Sequence, residues 1–325
     1  MLRRTLTAVG RSVALFVPVF VVVPVFFVAT FVTFALRSLS GLSPAHFQLG
    51  ESATPEAVDR IEHQWGLDRP FLAQYASWFH DMVTGHLGTS WFNGADISQL
   101  LADGAIVSLS VAGFALVIGV VFGSGLGILA AVRRTTWVDR VITGVTTVLS
   151  VMPSFVVGIL LVAVFAVGLR WFPSAGFVPA DRGLGPWLAH ITLPAVALSF
   201  DTIADLARQL RAGLVAAYRE NYVTGAIVRG LSPRRVFFRH VLRNGIGPAL
   251  AVLGLKFPNL LGGAVVTEAI FGMPGFGQFA AASAQRGDVP AVQGVLVVSI
   301  VLVVVFNLIV NLLLARVTPA AARGV

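Results

Sequence analysis

There is no cysteine among the 325 residues, so disulfides, thiolate metal sites and a cysteine nucleophile are excluded. Lysine is nearly absent as well: Lys256 stands alone beside 22 arginines. No GxxxxGK[ST] phosphate loop occurs, so any work driven by ATP requires a nucleotide-binding loop on another polypeptide. The histidines (His46, His63, His80, His86, His190 and His240) form neither an HExxH motif nor an i, i+4 pair, and they indicate no metal centre. No convergent set of nucleophile, base and oxyanion donors appears either, which disfavours an enzyme. Charged residues make up only 12% of the chain, whereas 56% is hydrophobic and the mean hydropathy is +0.85. A soluble globular domain of this length does not have that balance, and the chain reads as an all-α polytopic membrane protein. In such a protein a net charge of +8 marks loops kept in the cytoplasm rather than a nucleic-acid-binding surface.

Taken in order, Arg3, Arg4 and Arg11 precede an apolar run at 12–36, about 25 residues, enough to cross a ~30 Å hydrocarbon core. That run is longer than the apolar core of a cleaved signal peptide, despite the small residues Ser38 and Ser40. The first segment, 1–37, is thus a tail and a first span. Residues 38–103 are too polar to span and read as an extracytoplasmic helical loop. In it Thr54, Pro55 and Glu56 have the types expected at a helix start, and Gly66 can stop that helix in the left-handed conformation. Phe71, Leu72, Tyr75, Trp78, Phe79 and Met82 then form one apolar stripe, ended by Gly85. Such a stripe packs on the membrane domain, lies at the lipid interface, or contacts a partner or substrate directly.

The remaining residues, 104–325, hold five further apolar runs. The second span, 105–132, carries Gly113, Gly119, Gly123, Gly125 and Gly127, which suit close helix approach. Arg133, Arg134 and Arg140 mark a short loop before the third span, 141–169, where Pro153 predicts a kink. The fourth span starts at His190, the fifth runs over 245–271 and the sixth over 290–315. Arginine placement favours six spans with both termini in the cytoplasm, 16 Arg falling inside and 6 outside.

Between the fourth and fifth spans lies a basic loop, 216–244, that membrane burial cannot explain. Gly230 can close one short helix, Ser232 can cap the next, and Pro233 sits where a first helical turn tolerates proline. The loop therefore reads as helix, turn, helix. Arg234, Arg235 and Arg239 crowd the second helix, facing anionic lipid or a partner. Inside the spans, Asp201 and Asp205 share one helix face, with Arg208 one turn beyond. Buried acids are costly, so this face should look into the bundle. By depth Lys256 can reach Asp201 or Asp205 inside the bundle, next to a helix opened by Pro258. Alternatively Asp205 pairs with Arg208 and Lys256 faces a partner subunit. Glu268 stands just before the FGMPGFG turn, where an acid at an interface is commonly solvated.

The order Asn221, Tyr222, Ala226, Gly230, Leu231, Ser232, Arg235, Val236, His240, Leu242, Arg243, Asn244 resembles the coupling loop of ABC-importer permeases of the dipeptide and oligopeptide group. Two further stretches agree: Gly66, Leu67, Asp68, Arg69, Pro70 with Gln74 and Tyr75, and Phe271, Pro274, Gly275, Gly277 with Asp288, Pro290 and Gly294. The likeness extends from about residue 12 to about residue 318 and is similar to the B-type permease subunit. Thr224, Gly225, Ala226 stand where the general permease loop has Glu-Ala-Ala, a glutamate that the peptide group generally lacks.

The resemblance implies a type I ABC importer permease fold of six transmembrane helices with an extracytoplasmic helical insertion between the first two. It implies an ATPase-coupling surface at Tyr222, Thr224, Gly225, Ala226, Arg229, Gly230, Ser232, Arg235, Arg239 and His240. Asp201, Asp205 and Lys256 would line the path, and Glu268, Phe271, Pro274 and Gly275 would form an outer gate or a dock for a binding protein. The implied partners are a second, related permease in a heterodimer, two cytoplasmic ATPase subunits or domains that use ATP and Mg, an extracytoplasmic solute-binding protein, membrane lipid and a peptide substrate. The chain itself would bind no cofactor and no metal and would do no covalent chemistry. It would reside as a multi-pass protein in a bacterial inner or plasma membrane. Permeases of this kind for nickel or glutathione are the alternative; an ion-coupled secondary transporter, which needs no ATPase, is a further one.

Overall fold

The computed structural model describes residues 22–36 and 43–317. The expected start of the first span, the arginines before it, Ser38 and Ser40 lie outside the described residues. Among the described residues the chain is helical, with one isolated antiparallel bridge, Thr89 to Asp96. It divides into two compact units, 1–105 with 279–304, and 106–278 with 305–325.

The first unit contains α1, described over Val22–Leu36, and the short helices α2 (Pro44–Leu49), α3 (Pro55–Trp65) and α4 (Phe71–Val83). Thr54 caps α3 by accepting from the Ala57 N–H at 3.3 Å, and Gly66 ends it with φ +67°. Of the readings open for the α4 stripe, packing is what forms: Phe71 and Tyr75 meet Phe31 and Phe34 of α1 edge to face, and Phe79 meets Phe27. Tyr75 Oη and Thr30 Oγ1 share a 2.9 Å hydrogen bond. Leu72 departs from the stripe and stays exposed. Asp288, buried at the start of α14 (Val289–Val317), accepts from Ser90 Oγ at 2.5 Å and from Trp91 N at 3.2 Å, which ties the polar loop to that helix.

The second unit is built around α8 (Leu184–Tyr218). More than half of its apolar window (56%) is buried, against 33% for α12 (Gly247–Ile270), so α8 is the central element and α12 keeps a face for other surroundings. Part of α5 (Ile97–Val132) lies against α8 through a ladder of glycines. A Cβ at Gly123 would lie 3.0 Å from the Ile203 carbonyl oxygen, and one at Gly127 2.8 Å from that of Ala207; Gly119 faces Thr202 in the same way. Gly113 and Gly125 face open space, so only the set spaced by four residues does the work expected of all five. In a bilayer apolar side chains gain little from leaving lipid, so this backbone proximity is a main source of helix association.

The third expected span is two helices. α6 (Trp137–Val151) and α7 (Ser154–Leu161, continued by a wide π turn to Gly168) meet at 97°. Pro153 supplies no N–H and disfavours helical geometry at Met152, which takes an extended φ/ψ of −72°/118°. The expected kink is thus a right-angle break. Among the described residues four helices are long and apolar enough to cross a membrane, or five if the bent pair is one span. The chain is a multi-pass helical membrane protein, with part of its first apolar run outside the described residues.

Candidate coupling and translocation sites

Two constellations lie on α8, one near each end of its second half. At its end, α9 (Asn221–Val228) follows after a short turn. Gly230, at φ +75°, closes α9: its N–H donates to the Ile227 carbonyl at 2.9 Å and the Leu231 N–H reaches back to Ala226 at 3.2 Å. This reciprocal pair satisfies carbonyls that the helix end would leave orphaned, and the positive φ favours glycine. α10 (Pro233–Val236) follows, then a π turn over Phe237–Leu242 and the short turn α11 (Arg243–Gly245). Ser232 occupies the N-cap position of α10, but its side chain makes no capping hydrogen bond, contrary to expectation. The four-residue helix is held instead by burial of Val236.

The loop is not a free arm. Val223, Ala226, Val236 and Val241 are buried in one cluster with Leu206, Leu210, Leu214 and Ala217 of α8 and Ala249 of α12. Ala226 is therefore an inward-facing residue that positions α9, and is not a contact surface as expected from sequence. Gly213 and Gly245 bring the backbones of α8 and α11 together so closely that neither admits a side chain. Outward from α9 point Tyr222, Thr224, Ile227, Val228 and Arg229, with open space before Gly225. Arg235 and Arg239 are exposed, and His240 is half-buried. Burial, with Glu220 nearby, pushes the Tyr222 phenol above its ordinary range. Ile227 and Val228 were not singled out from sequence. Their signal was there: two consecutive large apolar residues after the buried Val223 and Ala226, more than one inward stripe can hold, in a loop too polar to enter a bilayer.

A second missed residue is Asp139. It is buried on α6 and grips Arg211 of α8 through two bonds, 2.5 Å to Nε and 2.7 Å to the terminal nitrogen. It also accepts the Thr135 N–H at 3.0 Å, holding Thr135 at φ +67°. The adjacent Arg133, Arg134 and Arg140 masked it in a reading based on charge excess.

Further along α8, Lys256 Nζ contacts both Asp201 and Asp205, and Asp205 also takes Arg208. The two pairings posed as alternatives coexist in one chain of charges, Asp201, Lys256, Asp205, Arg208. The Lys256 side chain is 6% exposed and that of Asp201 52%. A cavity of about 230 Å³ opens here, at the break between α6 and α7.

At the far end of α12, Glu268 is fully buried rather than solvated. Ser108 of α5 donates to its carboxylate, and the Gln278 N–H, in the first turn of α13 (Phe276–Gln285), does so at 2.9 Å. Ser108 Oγ in turn accepts the Phe276 N–H at 2.8 Å. Gly275 lies flat against the Glu268 carboxyl group, where any side chain would collide. Phe271 is buried as well and Pro274 is exposed. Glu268, Phe271 and Gly275 thus hold the turn and present no surface to a docked protein. Among the described residues no cluster of His, Asp or Glu could hold a metal ion.

Residues 123–323 match the sequence model of the family described as binding-protein-dependent transport system inner membrane component. The chain belongs to this family. Residues 9–103 match the model of the N-terminal part of such membrane components. The family is that of a transporter's membrane subunit, in keeping with the multi-pass helices. A probable peptide ABC transporter permease of Sinorhizobium fredii is 34% identical over 292 residues, covering 90% of this chain and 93% of that protein. A dipeptide transport system permease of Alkalihalophilus pseudofirmus is 31% identical, covering 91% and 95% respectively. A glutathione transport system permease of Escherichia coli is 31% identical, covering 92% and 95%. Among solved structures, a chain of the inward-facing MetNI methionine ABC transporter superposes with a TM-score of 0.55 at 17% identity, covering 68% of this chain and 98% of that one, a likeness of fold alone.

Proposed function

We propose that this chain is one permease subunit of an ATP-driven importer of short peptides, spanning the membrane six times with both termini in the cytoplasm. The observation that carries the reading is the continuity of the coupling-loop core with α8: Val223 and Ala226 sit in the same buried cluster as Leu210 and Leu214. A push on α9 is therefore delivered to the helix that carries the Asp201–Lys256 network, with no flexible linker between them. The exposed Ile227 and Val228, rimmed by Arg229, Arg235 and Arg239, fit an apolar groove with an acidic margin on a cytoplasmic ATPase, which would hold the ATP and Mg. Closure of paired ATPases would then rock α8 and its neighbours between two states. A second, related permease would complete the path, and an extracytoplasmic binding protein would deliver the cargo to the polar loop of the first unit.

Substrate class follows the relatives, whose names specify peptides, dipeptides and glutathione, itself a tripeptide. Uptake of labelled di- and tripeptides by a strain lacking the gene, with and without the restored gene, tests this. Uptake that depends on the gene and on ATP supports the reading; normal peptide uptake in the deletion strain contradicts it.

A further inference from the structure

The right-angle break at Pro153 does more than bend a span. Pro153 has no N–H to offer the Leu149 carbonyl, and the carbonyls of Ser150 and Val151 receive no backbone hydrogen bond among the described residues. Ser150 and Val151 line the cavity together with Asp201 of α8 and Lys256 and Asn259 of α12. Bare carbonyls at a helix C-terminus carry the negative end of the helix dipole. Asp201 strengthens that sign. One of its oxygens, Oδ2, holds Lys256 at 2.5 Å, while Oδ1 has no partner among the described residues. The ammonium is shared with Asp205 on a side chain that is 6% exposed, whereas half of the Asp201 side chain is open. The charge chain is neutral in sum, and Asp201 and Lys256 both line the cavity, but the half-open carboxylate rather than the 6%-exposed lysine is the group a ligand meets. An acid at this depth is costly unless it faces a polar path or a partner charge.

We propose that this cavity is a substrate subsite, in which Asp201 Oδ1 and the carbonyls of Ser150 and Val151 accept hydrogen bonds from a primary ammonium group, the free amino end of the transported peptide. Lys256 is the positioning residue that fixes the Asp201 carboxylate. The volume, about 230 Å³, is below the ~300 Å³ at which pockets for whole drug-sized ligands begin, so the cavity takes the end of a substrate and not its length. The subsite rests on the importer reading above and adds a chemical preference to it.

The test is uptake through the complete importer, with its partner proteins, of a labelled dipeptide and of the same dipeptide N-acetylated. Asp201→Asn should lower uptake of the free-amino peptide about tenfold or more, the loss expected for one hydrogen bond between charged groups, and lower that of the acetylated peptide by a clearly smaller factor. Asp201→Glu should restore most of the preference. An equal fall for both peptides, or no fall for either, overturns the subsite. Asn259→Lys, which places a competing ammonium at the mouth, should also reduce the preference for the free amine; an unchanged ratio contradicts the proposal even if the Asp201 variants accumulate poorly. The importer reading fails separately, if the unsubstituted chain with its partners supports uptake of neither peptide.

Discussion

Lys256 is the residue on which the charge chain depends. Its ammonium is buried and shared by two carboxylates, so Lys256→Met leaves both without their common partner. Breaking a fully buried pair costs about 3 to 5 kcal/mol; the half-open Asp201 and the Arg208 retained by Asp205 bring this to about 1 to 3 kcal/mol. The expected outcome is a marked loss of folded protein, read as a lower midpoint in thermal unfolding of the detergent-purified chain, whereas Asp201→Asn is tolerated because Lys256 keeps Asp205. An exchange of Lys256 with Asp201 is expected to fail for a related reason: it sets a new carboxylate against Asp205. Depth along the spans predicted that Lys256 could reach these acids, but depth does not fix rotation, so the sequence left open a choice that geometry resolves by making both pairings. The glycine ladder offers a cleaner contrast. Gly127→Ala drives a methyl against the Ala207 carbonyl and should cost about 1 to 3 kcal/mol, while Gly125→Ala, facing open space, should be neutral or stabilise by up to about 1 kcal/mol. Equal unfolding midpoints for the two variants would show that the ladder does not set the α5–α8 distance.

Short helices are where residue types and observed structure agree best, because caps are decided locally. Thr54 and Gly66 bound α3, and Gly230 closes α9, each by the backbone geometry their residue types favour. Ser232 shows the limit: it has the right type in the right place, yet α10 is held by what Val236 buries. The Pro153 break was legible as a site, but not in its size, since the angle depends on what α7 packs against. Gly230→Val must hold a β-branched residue at φ +75°, at about 1 to 2 kcal/mol or more. With the spans untouched, the chain should still insert, while peptide uptake falls and ATP hydrolysis by the assembled importer continues uncoupled. Undiminished uptake would remove the turn from the coupling path. Near the end of α3, the His63 ring is hydrogen-bonded to Asp68 at 2.8 Å and holds that carboxyl below its usual range. A carboxyl lowered on folding stabilises above its unfolded value, and that contribution is lost as pH falls through the lowered one. His63→Ala should therefore move the Asp68 titration upward in carboxyl-detected NMR, with little effect on stability at neutral pH because the pair is exposed.

Across the whole molecule, composition alone was enough to establish a multi-pass helical membrane protein, and three spaced motifs carried the family likeness. The interior of the coupling loop was harder to read. Ala226 looked like a contact and is a core residue, Glu268 was assigned to an outer gate or dock and is buried, and Asp139 was hidden by the arginines around it. In each case the deciding fact is which face of a helix meets α8, and no single sequence supplies that. α9 is anchored to α8 through one buried cluster, and in the proposed function its exposed apolar surface is what receives the stroke of an ATPase. The most direct test is Val228→Asp, at a side chain that is 81% exposed and bears on no internal packing. ATP-driven peptide uptake should be measured in vesicles containing the assembled importer, alongside the amount of ATPase retained with the membrane subunits. The account predicts that the variant chain inserts and folds normally, retains little ATPase and loses most uptake; full retention of the ATPase together with uptake equal to that of the unsubstituted chain would contradict it.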